Sequence, residues 1–453
     1  MIFYSLQNLA YKLMRHIRLI CFETPYIALS WRDSRTFLPF IKWLFISFVF
    51  AFVCMAPFYA QWALQVCGIL TPPLFLTSLL GLLSFASVLL TPKNRRFSVG
   101  FFIGVLWFYW IGLGLRYFDM SFLIPLVTIL VGLVVGVIFY VGLWCECLLW
   151  RLIFLLLLSY VKPLGFDWIV LESVFAYSYM GVDKLSVAFI IVGLWLICKY
   201  ERWWRLLGVA CLIFAIDFGA FKHKDTDSIT TLRIKLIQSD VKQDFAWRMQ
   251  SMGSIFDKHI SHIRQAIGEG YDVVVLPESS FYAPLDRIYT QDSTYFALLR
   301  ELSRHIAIVT GALRVEMGEE GMLYFNTTYK FENTEVAFYD KVLLVPFGEY
   351  LPAFLLPVVN IFFEGIGGFS AGKDFGYFDI KGARFKNAIC YEGTNKGFYA
   401  DYPQYVIVTS NNAWFVPSLE PILQQNLMKY YARLYGSVIF HATNLSPQAL
   451  ITP

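Results

Sequence analysis

Between Lys42 and Phe221 the chain returns repeatedly to predominantly apolar runs of about the length that crosses a bilayer, and no other feature constrains its fold as much. A hydrocarbon core of about 30 Å takes about 20 apolar residues in a helix. Such runs lie near 42–60, 73–91, 99–116, 121–145, 150–176, 185–198 and 204–221, the fifth interrupted by Lys162, Pro163 and Asp167. Of the 453 residues, 57% are hydrophobic and 15% charged. A soluble fold runs nearer about a quarter charged. The sequence therefore reads as a membrane protein, with a transmembrane domain of about seven helices over 1–225 and a second domain of ordinary globular composition over 226–453.

Lys and Arg in short loops mark the cytoplasmic side. Arg15, Arg18, Arg32, Arg35 and Lys42 place the N-terminus inside, and Lys93, Arg95, Arg96, Arg151, Lys199, Arg202 and Arg205 do the same for later loops. An odd number of spans then delivers the polar half to the outer face of the cytoplasmic membrane. The first residues, rich in Lys and Arg without a small-residue cleavage site, predict a retained anchor. The net charge of +4 is accounted for by these flanks, and no basic stripe points to nucleic acid. Glu146 and Glu172 lie in or beside spans, where a carboxylate calls for a partner, an interfacial position or a cavity.

Of eight cysteines, only Cys390 lies in the polar half, which excludes an internal disulfide there. His259, His262 and His305 lack metal-ligand spacing and are expected at the surface; no metal or cofactor is expected. From Thr231 onward short strands alternate with amphipathic helices. Arg233–Gln238 and Asp272–Pro277 read as strands, the second apolar enough to be covered on both faces, with Phe256, Ile260, Ile263 and Ile267 at helical spacing between them. Later strands end at Cys390, Ser410 and Ala442. The order predicts an α/β sandwich with mixed sheets inside and helices outside.

Glu278, Lys341 and Cys390 each fall at a strand end. A carboxylate can take the proton of a thiol, and an ammonium can stabilise both the thiolate and the oxyanion of a tetrahedral intermediate. These residue types suffice for acyl transfer, although a Glu, a Lys and a Cys at strand ends occur in many proteins.

The local sequences are more specific. Leu276-Pro277-Glu278, Tyr339-Asp340-Lys341, the run Val345 to Tyr350 and Ala388-Ile389-Cys390-Tyr391-Glu392 resemble the nitrilase superfamily, and within it the apolipoprotein N-acyltransferase family. Gln238, the run Gln243 to Trp247, Asn326, the run Ser410 to Phe415, Ala442-Thr443-Asn444 and, in the membrane half, Ala56-Pro57-Phe58 extend the similarity over nearly the whole chain. The resemblance implies an α-β-β-α nitrilase-like domain on the periplasmic side of a bacterial inner membrane. It implies transfer of an acyl chain from a phospholipid, typically phosphatidylethanolamine, through a Cys390 thioester to the α-amine of the diacylglyceryl-cysteine of an apolipoprotein. Glu278 then corresponds to the general base and Lys341 to the oxyanion-stabilising residue. Glu349, Glu392 and Tyr391 correspond to supporting groups, and Trp247, Tyr350 and Trp414 to substrate contacts.

The sequence also departs from the resemblance. Asn412, Val416 and His441 stand where the family commonly has Asp, Gly and Arg, and the last transmembrane helix usual in the family does not follow Asn444 before Pro453. The apolar run Leu351 to Phe363 is expected either to dip into the bilayer or to form a core helix. Two other functions fit parts of the sequence: a membrane-tethered carbon-nitrogen hydrolase or amidase, and a transporter or sensor using Glu146 and Glu172.

Overall fold

A computed structural model of the protein describes residues 34–221, 230–243, 249–285, 293–319, 321–345, 349 and 368–453. Seven α-helices are described in the membrane half: α1 (Ser34–Val66), α2 (Leu74–Leu89), α3 (Arg96–Phe108), α4 (Ile124–Gly142), α5 (Leu148–Leu157), α6 (Lys184–Lys199) and α7 (Trp203–Phe214). By length and composition, three stretches among the described residues can cross a membrane: Leu38–Val66, Arg96–Tyr117 and Ser121–Gly142. The second and third pack closely because both carry glycines four apart. A Cβ on Gly100 would lie 2.4 Å from the Phe139 Cβ, and one on Gly104 would lie 2.7 Å from the Val135 Cβ. Small residues at this spacing let transmembrane backbones approach where no water is available to drive association.

The expected span over 150–176 is corrected by the structure. α5 ends at Leu157, and short 3-10 turns follow at Leu158–Tyr160, Pro163–Gly165 and Leu171–Phe175. Pro163 removes a backbone donor and Leu164 takes φ +52, so a continuous helix cannot form. Irregular backbone beside a bilayer persists only where protein covers it. Trp168, Leu171, Val174 and Phe175 are accordingly buried. Glu172 is buried too and pairs with Lys184, while Glu146 accepts from the Lys93 amide at 2.9 Å. Each carboxylate therefore has a partner on one oxygen, while Glu172 Oε2 has none among the described residues.

The second domain opens with β1 (Ile234–Leu236), β2 (Gln238–Ser239), α8 (Met249–Gly268), β3 (Val273–Val275), β4 (Phe281–Pro284), α9 (Ser293–Leu302), β5 (Ala307–Gly318), β6 (Gly321–Glu332) and β7 (Glu335–Asp340). It continues with β8 (Tyr377–Ile380), β9 (Ala383–Ile389), β10 (Tyr405–Asn411), α10 (Glu420–Tyr435), β11 (Val438–Asn444) and β12 (Ala449–Ile451). One sheet runs β1-β3-β5-β6-β7 with β4 against β5; the other runs β12-β11-β10-β9-β8 with β2 against β11. Both are mixed. β1, β3 and β5 are parallel, as are β9, β10 and β11, while β6, β7, β8 and β12 pair antiparallel.

The sheets face each other through Val273, Val275, Val309, Ile407 and Phe440. On the outer face of the first sheet lie α8 and α9, through Phe256, Ile260, Ile263 and Leu299. This explains the uninterrupted apolar run in β3, which is covered on both sides. His259 corrects an expectation here: it is 1% exposed beneath Phe281, and burial pushes its pKa down to about 3.

α10 covers the other sheet and forms the layer between sheet and membrane domain. Its Leu423, Leu427 and Tyr431 share one core with Trp168, Val174 and Phe175. At its C-terminal end the Arg433 guanidinium donates to the carbonyls of Phe175 (2.7 Å), Ala176 (3.2 Å), Ser178 (3.3 Å) and Met180 (2.8 Å), and to Asp217 Oδ2 (2.6 Å). The expected division at 225/226 and the apolar run 351–363 lie outside the described residues.

Arg433→Ala removes the donor from these carbonyls. It is expected to destabilise the docked protein by about 1–3 kcal/mol, read as a lower melting temperature in detergent, with Arg433→Lys recovering only part. An unchanged melting temperature would show that docking does not depend on this residue.

Candidate active site

The two sheets bring the C-terminal ends of several strands to one place. Glu278 follows β3 by three residues, and the chain turns sharply after it, with Ser279 at φ +54. Gly311 of β5 lies directly beneath, where a Cβ would meet the Glu278 Cα at 2.6 Å. No side chain fits there without moving Glu278. Its carboxylate is 7% exposed; Oε1 accepts from Asn326 Nδ2 at 2.7 Å and Oε2 from the Asn411 amide at 2.7 Å. One oxygen is thus fixed from each sheet.

Lys341 follows β7 and is 1% exposed. Its backbone is held on both sides, by the Asn326 carbonyl at 2.8 Å and the Gly372 amide at 2.7 Å. Its ammonium donates to Glu349 Oε1 at 2.8 Å and lies 3.5 Å from Glu278 Oε1. Asn326 Nδ2 also donates to Glu349 at 2.9 Å, so one amide group tethers both carboxylates around one cation. The Val345 amide fixes the other Glu349 oxygen at 2.9 Å.

Cys390 directly follows β9 at φ +52, a left-handed conformation that costs a non-glycine residue about 1 kcal/mol. The turn is locked by Glu392, which accepts from the amides of Ile389 (2.8 Å), Val342 (2.6 Å) and Leu343 (3.1 Å). One buried carboxylate thereby ties the cysteine turn to the loop that follows Lys341. Gln424 Nε2, on α10, donates to Cys390 Sγ at 3.5 Å.

The membrane half holds the same loops from the other side. Tyr391 donates to Asp167 Oδ1 at 2.5 Å and stacks on Phe166 and Trp168. Trp168 donates to Thr394 Oγ1 at 2.8 Å, and Asn395 Nδ2 to Asp167 Oδ2 at 2.6 Å. Arg116 reaches the carbonyls of Trp414 and Val416, and Tyr117 that of Ala413. The Trp414 ring meets Tyr117 edge-on at 5.4 Å.

Burial and charge set the protonation of the group. Burial pushes the Cys390 thiol well above its usual range; Glu278 adds to this and the Lys341 ammonium opposes it. Burial also raises Glu278, Lys341 lowers it, and Glu349 pushes it up again. For Lys341 burial would favour the neutral amine, but the charges of Glu349 and Glu278 outweigh it and the ammonium is held. Glu392 is pushed up to about 7 and Glu420 to about 8, both by burial. The site therefore favours a protonated thiol on which the charges of Glu278 and Lys341 act in opposite directions.

Glu278, Lys341, Glu349, Cys390, Tyr391, Glu392 and Trp414 all fall in or around this site, whereas Trp247 and Tyr350 lie outside the described residues. Sequence reasoning gave no role to Gln424, Glu420, Arg116 or Tyr117, and it took Asp167 only as an interruption of a span. Glu420 and Gln424 are four apart, the spacing of one helix face, and that was the available signal. Among the described residues no three of His, Cys, Asp and Glu come together as metal ligands.

Two family descriptions match the chain: apolipoprotein N-acyltransferase integral membrane domain over residues 41–218, and carbon-nitrogen hydrolase over residues 246–433. An apolipoprotein N-acyltransferase of Helicobacter hepaticus is 68% identical over 88% of this chain and 99% of its own length. One of Helicobacter pylori is 37% identical over 90% of this chain and 95% of its own. Among solved structures, a CN-hydrolase superfamily protein of Xanthomonas campestris aligns with TM-score 0.35 and 16% identity over 48% of this chain and 76% of that one.

With its thiol pKa well above the usual range, Cys390 is expected to react slowly with iodoacetamide at neutral pH and faster as pH rises through the alkaline range, followed by mass spectrometry. Rapid, pH-independent alkylation near pH 7 would show a resting thiolate instead. Gly311→Ala is expected to cost about 1–3 kcal/mol in thermal stability, because the methyl must displace the Glu278 backbone.

Proposed function

The chain belongs to the apolipoprotein N-acyltransferase family, and from that premise we propose that it carries an acyl chain from a phospholipid, through a thioester on Cys390, to the α-amine of the diacylglyceryl-cysteine of a lipoprotein. Phosphatidylethanolamine is the donor the reading favours. What carries the reading is the double suspension of the Cys390 turn, tied through Glu392 to the loop after Lys341 on one side and to membrane-domain side chains on the other. Both substrates are lipids. A thiol held by a membrane domain meets them without drawing an acyl chain into water, which would cost about 0.8 kcal/mol per CH₂.

In the first half-reaction Glu278 takes the Cys390 proton as the sulfur attacks the ester carbonyl. Lys341 stabilises the oxyanion, and Glu278 returns the proton to the departing oxygen of the lysophospholipid. Glu349 keeps the ammonium aimed and charged. In the second half-reaction the lipoprotein amine attacks the thioester carbonyl, a C–N bond forms, the C–S bond breaks and the thiol is restored. Glu392 and Tyr391 position the cysteine turn, and Trp247, Tyr350 and Trp414 contact the lipids. No cofactor takes part in this scheme.

The Lys and Arg flanks support a catalytic domain, 226–453, on the periplasmic side of the inner membrane, with 1–225 as its anchor. Because a raised Glu278 pKa leaves the base protonated in acid, thioester formation is expected to rise with pH on its acid limb, with an apparent pKa that belongs to the coupled set.

Incubating the purified protein with an alkyne-tagged phosphatidylethanolamine tests the assignment. A hydroxylamine-labile adduct is expected on the wild type and none on Cys390→Ala, with the tag passing to a diacylated lipopeptide when one is added. No adduct on the wild type would sink the proposal. An adduct released only to water would favour a membrane-tethered hydrolase.

A further inference from the structure

Glu420 is the first residue of α10 and is 2% exposed, yet its Oε2 finds no hydrogen-bond partner among the described residues. Gln424, one turn further along α10, donates to the Cys390 sulfur. Residues four apart share a helix face, their Cβ atoms about 6 Å apart, so Glu420 stands on the face turned to the thiol. Its charge acts on Cys390 and it is coupled electrostatically to Glu278. A buried, unpaired carboxylate oxygen is costly and calls for a cationic or donating partner.

The proton count of the second half-reaction identifies such a partner. An α-amine arrives as an ammonium and must lose one proton before its lone pair can attack and a second after attack, one more than an alcohol or water loses. Glu278 can take the second and return it to the leaving thiolate. It cannot also hold the first.

We propose that Glu420 receives the α-ammonium of the acceptor and takes its first proton. The proposal rests on the thioester reading above. R–NH₃⁺ and the Glu420 carboxylate give R–NH₂ and the carboxylic acid. The amine nitrogen then bonds to the acyl carbon, the C–S bond breaks, Glu278 passes the second proton to sulfur, and Glu420 releases the first to water as product leaves. Burial places the Glu420 pKa at about 8, close to that of an α-amine, so the proton moves between groups of similar affinity. Of the charged and titratable groups, Glu278 acts on Glu420, and Glu420 in turn acts on Cys390 together with Glu278, Lys341 and Glu349.

The two half-reactions are separable with the full-length protein in detergent, using the alkyne-tagged phosphatidylethanolamine and a synthetic diacylated lipopeptide. Glu420→Gln is expected to form the Cys390 thioester at a rate within about twofold of wild type, and to transfer it to the lipopeptide about 10²-fold more slowly at neutral pH, the lower end of what positioned acid–base groups contribute. Its transfer rate then climbs with pH as free amine appears, more steeply than that of wild type. Hydroxylamine, uncharged at neutral pH, is expected to clear the thioester equally fast from both proteins. Glu420→Asp, which keeps the carboxyl, recovers part of the transfer. Unchanged transfer in Glu420→Gln overturns the proposal. So does a parallel fall in the hydroxylamine reaction, or loss of thioester formation in the variant while wild type still forms it, because each places Glu420 outside amine deprotonation. A wild type that never forms the thioester fails the underlying reading instead, and is told apart by that control alone.

Discussion

The site depends on one buried cation. Lys341 is held between the carboxyls of Glu278 and Glu349, Glu392 and Glu420 are buried as well, and the charges of Glu278, Lys341, Glu349 and Glu420 all act on the Cys390 thiol. In a medium of low polarity so many negative charges cannot coexist against one ammonium. Burial accordingly pushes the Cys390 thiol and the Glu392 and Glu420 carboxyls up in pKa, so the cluster carries less negative charge than the same groups would in water. Asn326 lets this cluster exist by donating to Glu278 and Glu349 at once, which spreads the charge without adding any. Without the ammonium the two carboxylates would repel across that amide, and the strand ends they tie would lose their common point.

A second constraint acts from below. The sheets alone place Glu278 and Lys341, but the turn that carries Cys390 is completed by residues of the membrane half. Asp167 accepts from Tyr391 and Asn395, and Trp168 donates to Thr394. These come from the segment where helix is impossible after Pro163. The break in the fifth apolar run is therefore functional in the architectural sense, since backbone that cannot be helical supplies the polar contacts a smooth span would lack. The same segment gives α10 the carbonyls that Arg433 grips.

How much of this was legible in the sequence follows from range. Period and composition report what a residue does to its nearest neighbours along the chain. They carried the apolar runs, the doubly covered β3 and the placing of Glu278, Lys341 and Cys390 at strand ends. They did not carry α10 as a layer between sheet and membrane, because its buried face includes Glu420, Gln424 and Asn426, residues that read as solvent-facing until their partners are known. His259 failed for the same reason: a lone polar residue in an amphipathic helix is assigned outward, and only the Phe281 ring above it shows otherwise. Asp167 read as an interruption because its partner, Tyr391, is more than two hundred positions away.

α10 brings these constraints together. One end carries Gln424, which donates to the sulfur, with Glu420 one turn before it, and the other locks Arg433 into the membrane half. Between them Asn426 donates to Gln61 of α1 at 2.5 Å, and Leu423 and Leu427 pack into the shared core. A helix held at both ends and in the middle cannot rotate to solvate its polar face. The cost of burying Glu420 and Gln424 is therefore imposed by packing elsewhere along the same helix. Polar groups fixed this way do not have to reorganise as charge shifts during reaction, which is the condition under which they act most strongly on a developing charge.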